Sequence, residues 1–192
     1  MRLFGALYDK VLQWAAHPRA PWFLGALSFA ESSFFPIPPD VMLAPMALAR
    51  PRSALRFALI ATLMSVLGGL FGYAIGYFAL ELIKPLLHEF GYWPKYQEVH
   101  AWFTEWGFWV VLVAGFSPIP YKVFTIAAGA MSLNPVFFLL GSLVGRGGRF
   151  FAVAAVLAYG GKRVEPWLRR YIEGIGWASV VLLAGALVLI RW

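Results

Sequence analysis

From Phe57 to Leu80 the chain carries no charged side chain, and as a helix this run exceeds the roughly 20 residues that cross a hydrocarbon core of about 30 Å. Such a helix satisfies its own backbone hydrogen bonds and offers water no polar face, which makes the bilayer its natural solvent. Val136 to Gly161 is a second run of the same kind, interrupted only by Arg146 and Arg149. The 192 residues are 61% apolar and only 13% charged, where soluble domains carry about a quarter. That excludes a water-soluble globule and a disordered chain, and zero cysteines exclude a disulfide scaffold or a thiolate metal site. The 16 Lys and Arg outnumber 9 Asp and Glu, but they flank apolar runs as on the cytoplasmic side of a membrane protein, so no nucleic-acid partner is expected.

Gly68, Gly72 and Gly76 recur every fourth residue of the first run, beside Ala61, Ser65 and Gly69, so a small-residue stripe predicts close approach of another helix. Gly174 to Ile190 is a shorter crossing candidate, anchored by Arg191 and Trp192. Residues 1–19 lack the cleavage site of a signal peptide. Leu3, Phe4, Leu7, Val11 and Trp14 recur there near helical spacing among Arg2, Asp9, Lys10 and His17, which predicts an amphipathic helix on the membrane surface or against the bundle.

Two further apolar stretches are long enough to cross but are broken, Pro21 to Ala49 by Pro36, Pro38, Pro39 and Pro45, and Gly107 to Met131 by Pro118 and Pro120. Proline removes a backbone donor and clashes inside a helix, so continuous helices are not expected. Ten helical residues from Pro21 descend about 15 Å, reaching Glu31 near the bilayer middle, and ten more return from Asp40 to Arg50. Gly107 to Ser117 and Lys122 to Ser132 repeat that count. Each stretch is expected to be a re-entrant hairpin with prolines at its tip, buried in protein or facing a watery cavity.

The hairpins also match residue by residue. At a shift of 82 positions Phe34, Pro36, Ile37, Pro38 and Val41 fall on Phe116, Pro118, Ile119, Pro120 and Val123, and Asp40 falls on Lys122. After a five-residue adjustment Ser65 and Gly68 fall on Ser142 and Gly145. A unit that crosses once must be followed by a copy of opposite orientation, and such inverted repeats mark secondary transporters with sites at the midplane. The expected fold is an all-α integral membrane protein, a single domain over 1–192. Its parts are an amphipathic helix (1–19), a first repeat (20–80), surface linker helices (81–106), a second repeat (107–161) and a C-terminal transmembrane helix (174–191). With both hairpins re-entrant, Arg2, Lys10, Arg19, Arg50, Arg52, Arg56, Lys162, Arg163, Arg169 and Arg170 gather on one side against Lys84, Lys95 and Arg191. Ten to three exceeds the nine to four that full crossings would give, and it places the N-terminus in the cytoplasm.

Glu31, Asp40, Lys122, Arg146 and Arg149 remain at membrane depth, where a charge costs at least about 2.5–3.5 kcal/mol and must pair or meet water. Arg146 lies ten residues into its run, again about 15 Å down, and Arg149 follows on nearly the same face. Three cations against two acids leave a positive excess. One reading is structural: the acids pair with the cations to hold the hairpins together, although apolar side chains would fill that core without the desolvation penalty. The functional reading has Arg146, Arg149 and Lys122 attract a phosphate headgroup while one carboxylate takes and releases a proton. Glu31, deep among Phe29, Phe34 and Phe35, is the expected proton carrier because desolvation favours the neutral acid. Asp40, opposite Lys122 in the repeat, is the expected salt-bridge anchor.

Glu31-Ser32-Ser33 with FFPIPPD (34–40), FSPIPYK (116–122), Ala127-Ala128-Gly129 and the run from Gly145 to Arg149 resemble the DedA membrane proteins (VTT domain, SNARE-associated), most nearly their YqaA-like branch, over about residues 20–160. The resemblance implies two re-entrant hairpins in an inverted repeat. It also implies movement of lipids such as undecaprenyl phosphate or phosphatidylethanolamine across the bacterial inner membrane, linked to proton-motive force. It matches Glu31 and Asp40 to the family's membrane acids and Arg146 or Arg149 to its essential arginine in the second half. Many members carry an arginine near Lys122, and the lysine keeps the charge but loses the bidentate fork.

A membrane phosphatase would need histidines beside the buried cations, but His17, His88 and His100 lie in polar edge segments. HExxH is absent, and Gly145 to Gly148 lacks the GxxxxGK[ST] pattern, so no enzyme activity, metal or cofactor is expected. The expected partners are a membrane lipid with a phosphate headgroup and protons, with a homo-oligomer left open. A proton-coupled ion or small-solute transporter and a structural membrane-assembly protein are the competing readings. A lipid carrier should show a lateral opening lined with apolar groups beside the buried cations, and a solute carrier a closed polar vestibule.

Overall fold

The structure, a computed structural model, describes residues 13–15, 17–35, 37–117 and 120–160. The expected C-terminal helix, most of the N-terminal one, and Pro36, Pro118 and Ile119 fall outside these residues. Six helices of ten residues or more are described: α1 (Ala20–Ser33), α2 (Asp40–Ala49), α3 (Ala54–Glu89), α4 (Trp93–Phe116), α5 (Tyr121–Ala130) and α6 (Pro135–Gly160). Among the described residues there is no strand.

Proline chemistry explains the boundaries. Pro21, Pro94 and Pro135 sit in first turns, where no backbone donor is lost. α1 and α4 end at the proline clusters; Pro39 caps α2 and Pro120 caps α5. Asp40 opens α2, where the helix dipole favours a negative charge. At the start of α6 the Asn134 side chain accepts the Val136 N–H, capping an end that the chain reaches through Ser132 at φ 49°.

α3, α4 and α6 are long and apolar enough to cross a membrane. α1 advances beside the first half of α3 in the same direction: Gly25 faces Ile60 and Met64, Phe29 faces Gly68, and Ser32 faces Gly72. α5 continues along the second half, with Tyr121 beside Gly69, Thr125 beside Gly72 and Ile126 beside Gly76. The ends of α1 and α5 therefore meet part-way along α3. α6 runs antiparallel to α3, since Phe138 lies beside Gly69 while Gly147 lies beside Thr62. α4 advances along α6 as α1 does along α3, with Val111 beside Gly141, Leu112 beside Gly145 and Phe116 beside Gly148. Two hairpin-plus-helix units of opposite direction result, as the matched sequences predict.

The linker differs from expectation. Residues 81–106 are not separate surface helices: α3 runs unbroken through Leu80 to Glu89, and 93–106 form the first part of α4. Gly107, expected to begin the hairpin arm, does not interrupt the helix; its missing side chain makes room for Leu133. α3 also continues past Pro85 and, at 36 residues, is about 54 Å long.

The small-residue stripe is a packing device. A Cβ on Gly76 would run into the Ile126 carbonyl, and one on Gly68 into that of Phe29. Gly76→Ala must push α5 away from α3, and we expect a loss of about 1–3 kcal/mol, read as a lower unfolding temperature in detergent. Gly148→Ala, whose Cβ meets only the Phe116 ring at 3.6 Å, should unfold with the wild type.

Candidate functional site at the hairpin tips

Two apolar clusters flank a polar layer. One gathers Leu24, Leu43, Met46, Phe57, Ala61 and Phe150 around the open end of the first hairpin, and the other gathers Phe103, Val111, Ala128, Leu133 and Phe138 around the second. Between them lie Glu31, Ser32, Ser65, Ser142 and Arg146, all buried.

Arg146 is 1% exposed. Its Nη2 pairs with the Glu31 carboxylate, and its Nε donates to Ser65 Oγ at 2.6 Å. Ser65 lies 2.6 Å from Ser32 Oγ, which donates to Glu31 at 3.2 Å. Each hydroxyl has one proton, so the order is fixed: Arg146 to Ser65, Ser65 to Ser32, Ser32 to Glu31. The four side chains form a closed ring joining α1, α3 and α6. The guanidinium carbon also lies 5.0 Å from the Tyr121 ring centre and 4.6 Å from that of Phe150, two cation–π contacts that complete its enclosure. Tyr121 in turn is 2.6 Å from Ser142 Oγ, and the single Thr125 hydroxyl proton is shared between the Lys122 carbonyl at 2.9 Å and the Ser32 carbonyl at 3.1 Å.

Arg149 lies one turn further along α6, in a more open place. It donates to the Ser117 carbonyl at the second tip and, at 2.7 Å, to Asp40 at the first. The two side chains are 18% and 23% exposed. Lys122 reaches from α5 to the Phe34 carbonyl at 3.3 Å and meets no carboxylate among the described residues. Pro39 is buried at the first tip, whereas Pro38 and Pro120 are exposed.

Asp40, Lys122 and Arg149 thus gather at the tips and Glu31 with Arg146 in the buried layer beside them, and the pairing departs from expectation. Asp40 is anchored by Arg149, not by Lys122. Glu31 does not sit in an aromatic pocket: Phe34 and Phe35 are exposed, and its carboxylate accepts from Arg146 and Ser32. Arg146 and Arg149, expected to share a ligand, are divided between the interior and the tips. Ser32, Tyr121 and Thr125 carry no expected role at the site, although Ser32 and Tyr121 lie within the matched motifs and the match of Ser65 with Ser142 also points to this layer. Among the described residues no three His, Asp or Glu side chains converge as metal ligands would.

The VTT domain matches residues 35–159. Similar proteins include one from Haemophilus influenzae, 44% identical over 191 residues and covering 100% of both chains. Another, from Histophilus somni, is 47% identical over 182 residues and 95% of each chain. Both are described only as uncharacterized proteins. No solved structure matches.

Proposed function

As a member of the VTT-domain (DedA) family this chain is a membrane protein of transport type, and we propose that it carries a phosphate-bearing lipid, such as undecaprenyl phosphate or phosphatidylethanolamine, across the bacterial inner membrane together with a proton. The observation that carries the proposal is the charge left over at the hairpin tips. Glu31 offsets Arg146 and Asp40 offsets Arg149, while Lys122 has only a carbonyl partner among the described residues. An ammonium so placed at membrane depth attracts an anion, and Arg149, which bridges Asp40 and Ser117 at the two tips, offers the planar fork that phosphate oxygens accept.

Asp40 is our choice for the proton. It is the more exposed of the two acids, and protonating it would free the Arg149 fork and raise the local charge by one. Lipid phosphate and proton would then bind together and leave together. Glu31, in its closed ring, holds Arg146 in place. The meeting of α1 and α5 part-way along α3 supports hairpins that re-enter, and the cation bias supports a cytoplasmic N-terminus.

The test is reconstitution in liposomes with labelled polyprenyl phosphate or phosphatidylethanolamine, with and without a pH gradient. Lipid movement that accelerates with the gradient is the expected result. Transport of inorganic phosphate with no lipid movement would replace the lipid carrier by a solute carrier.

A further inference from the structure

A cavity of about 820 Å³ lies against the open end of the first hairpin, remote from the polar ring. Its described wall is almost entirely apolar, with Trp14, Phe23, Met42 and Met46 in the lining, and the polar groups are those of Gln13, His17 and Arg19. That volume falls in the range of pockets that enclose most of a small ligand, about 300–1,000 Å³. Along the hairpin the cavity extends from Arg19, just before α1, to Val41, the neighbour of Asp40.

His17 and Arg19 offer donors, and the Gln13 amide adds one donor group and one acceptor. His17 Nδ1 accepts the backbone N–H of Arg19 at 3.2 Å, so in the neutral ring the proton lies on Nε2, free to donate. The Arg19 guanidinium meets no carboxylate among the described residues. The same end of the bundle carries Arg52 and Arg56, whereas the described acids lie elsewhere, Glu31 and Asp40 at the tips and Glu81, Glu89, Glu98 and Glu105 in the distal parts of α3 and α4. An anionic headgroup is thus favoured at one end and an apolar chain along the rest.

From this arrangement we infer a second lipid site, in which an anionic phospholipid places its phosphate against Arg19 and His17 and lays one acyl chain between Phe23 and Met42. The inference rests on the lipid-carrier reading, which it deepens. Counted along α1, Arg19 is about 18 Å from Glu31, so a lipid held here waits at the hairpin's open end with its chain directed toward Asp40.

The probe is phosphatidylglycerol bearing a diazirine in one acyl chain, photolysed in liposomes with the whole protein, and adducts are mapped by peptide mass spectrometry. Adducts should concentrate on residues 13–23 and 41–46 over the exposed α3 residues Leu59, Leu63 and Leu67, and should exceed those from the phosphatidylcholine analogue. Arg19→Glu should lower them about fivefold, while Arg52→Glu, outside the cavity, leaves them unchanged. Met42→Trp should remove the adducts within the cavity and keep those on α3. Even labelling of all lipid-facing helices, or equal losses in Arg19→Glu and Arg52→Glu, would overturn the site. Labelling needs no transport, so adducts as expected in a protein that moves no lipid would sink the carrier reading and leave this site standing.

Discussion

Arg146→Ala should be the most damaging single substitution in the described bundle. It leaves the Glu31 carboxylate enclosed without its cation, and breaking a buried pair from one side costs about 3–5 kcal/mol. It also empties the space between Tyr121 and Phe150 and orphans the Ser65 hydroxyl. The expected result is a large fall in detergent unfolding temperature and in membrane yield. Replacing both partners, Glu31→Gln with Arg146→Met, removes the stranded charge and should recover much of that loss, because the ring's worth lies in its completeness. If Arg146→Ala unfolds with the wild type and loses only lipid binding, the guanidinium belongs to the substrate and the ring is not a latch.

Asp40→Asn should act on transport instead. The amide mimics the protonated acid, keeps the space filled at the start of α2 and leaves Arg149 permanently released. The fold should survive, since the pair is partly exposed and Ser117 still accepts from Arg149. Lipid movement should lose its response to an imposed pH gradient, while lipid binding persists or strengthens. Glu31→Gln tests the opposite assignment, since neutralising an acceptor in the ring should lower stability first. Loss of the pH response in folded Glu31→Gln, with Asp40→Asn still responsive, would return the proton to Glu31.

The broad plan was legible in the sequence because prolines and charges are local signals. α1 ends at Ser33 and α4 at Phe116, and α2 and α5 begin just after Pro39 and Pro120, while the match of FFPIPPD with FSPIPYK anticipated two units of opposite direction. The linker misled because charges at Glu81, Lys84, Glu98 and Glu105 are compatible with a helix, and neither Pro85 nor Gly107 interrupts the helix in which it lies. Ion-pair partners were hidden for a geometric reason. Three residues along a helix differ by about 60° in facing and about 4.5 Å in height, enough to turn Arg146 into the bundle and Arg149 toward the tips. The repeat set Asp40 opposite Lys122, but equivalence under an internal symmetry does not put two residues in contact.

The leftover charge at Lys122 is the element on which the proposed function depends, and it can be changed without disturbing either ion pair. The most direct measurement is the rate of polyprenyl phosphate movement in proteoliposomes for the wild type, Lys122→Arg and Lys122→Gln, at matched amounts of folded protein. Lys122→Arg should keep or raise the rate, since it keeps the charge and adds a bidentate fork, and Lys122→Gln should lose most of it. Wild-type movement by Lys122→Gln would contradict a phosphate held at the hairpin tips.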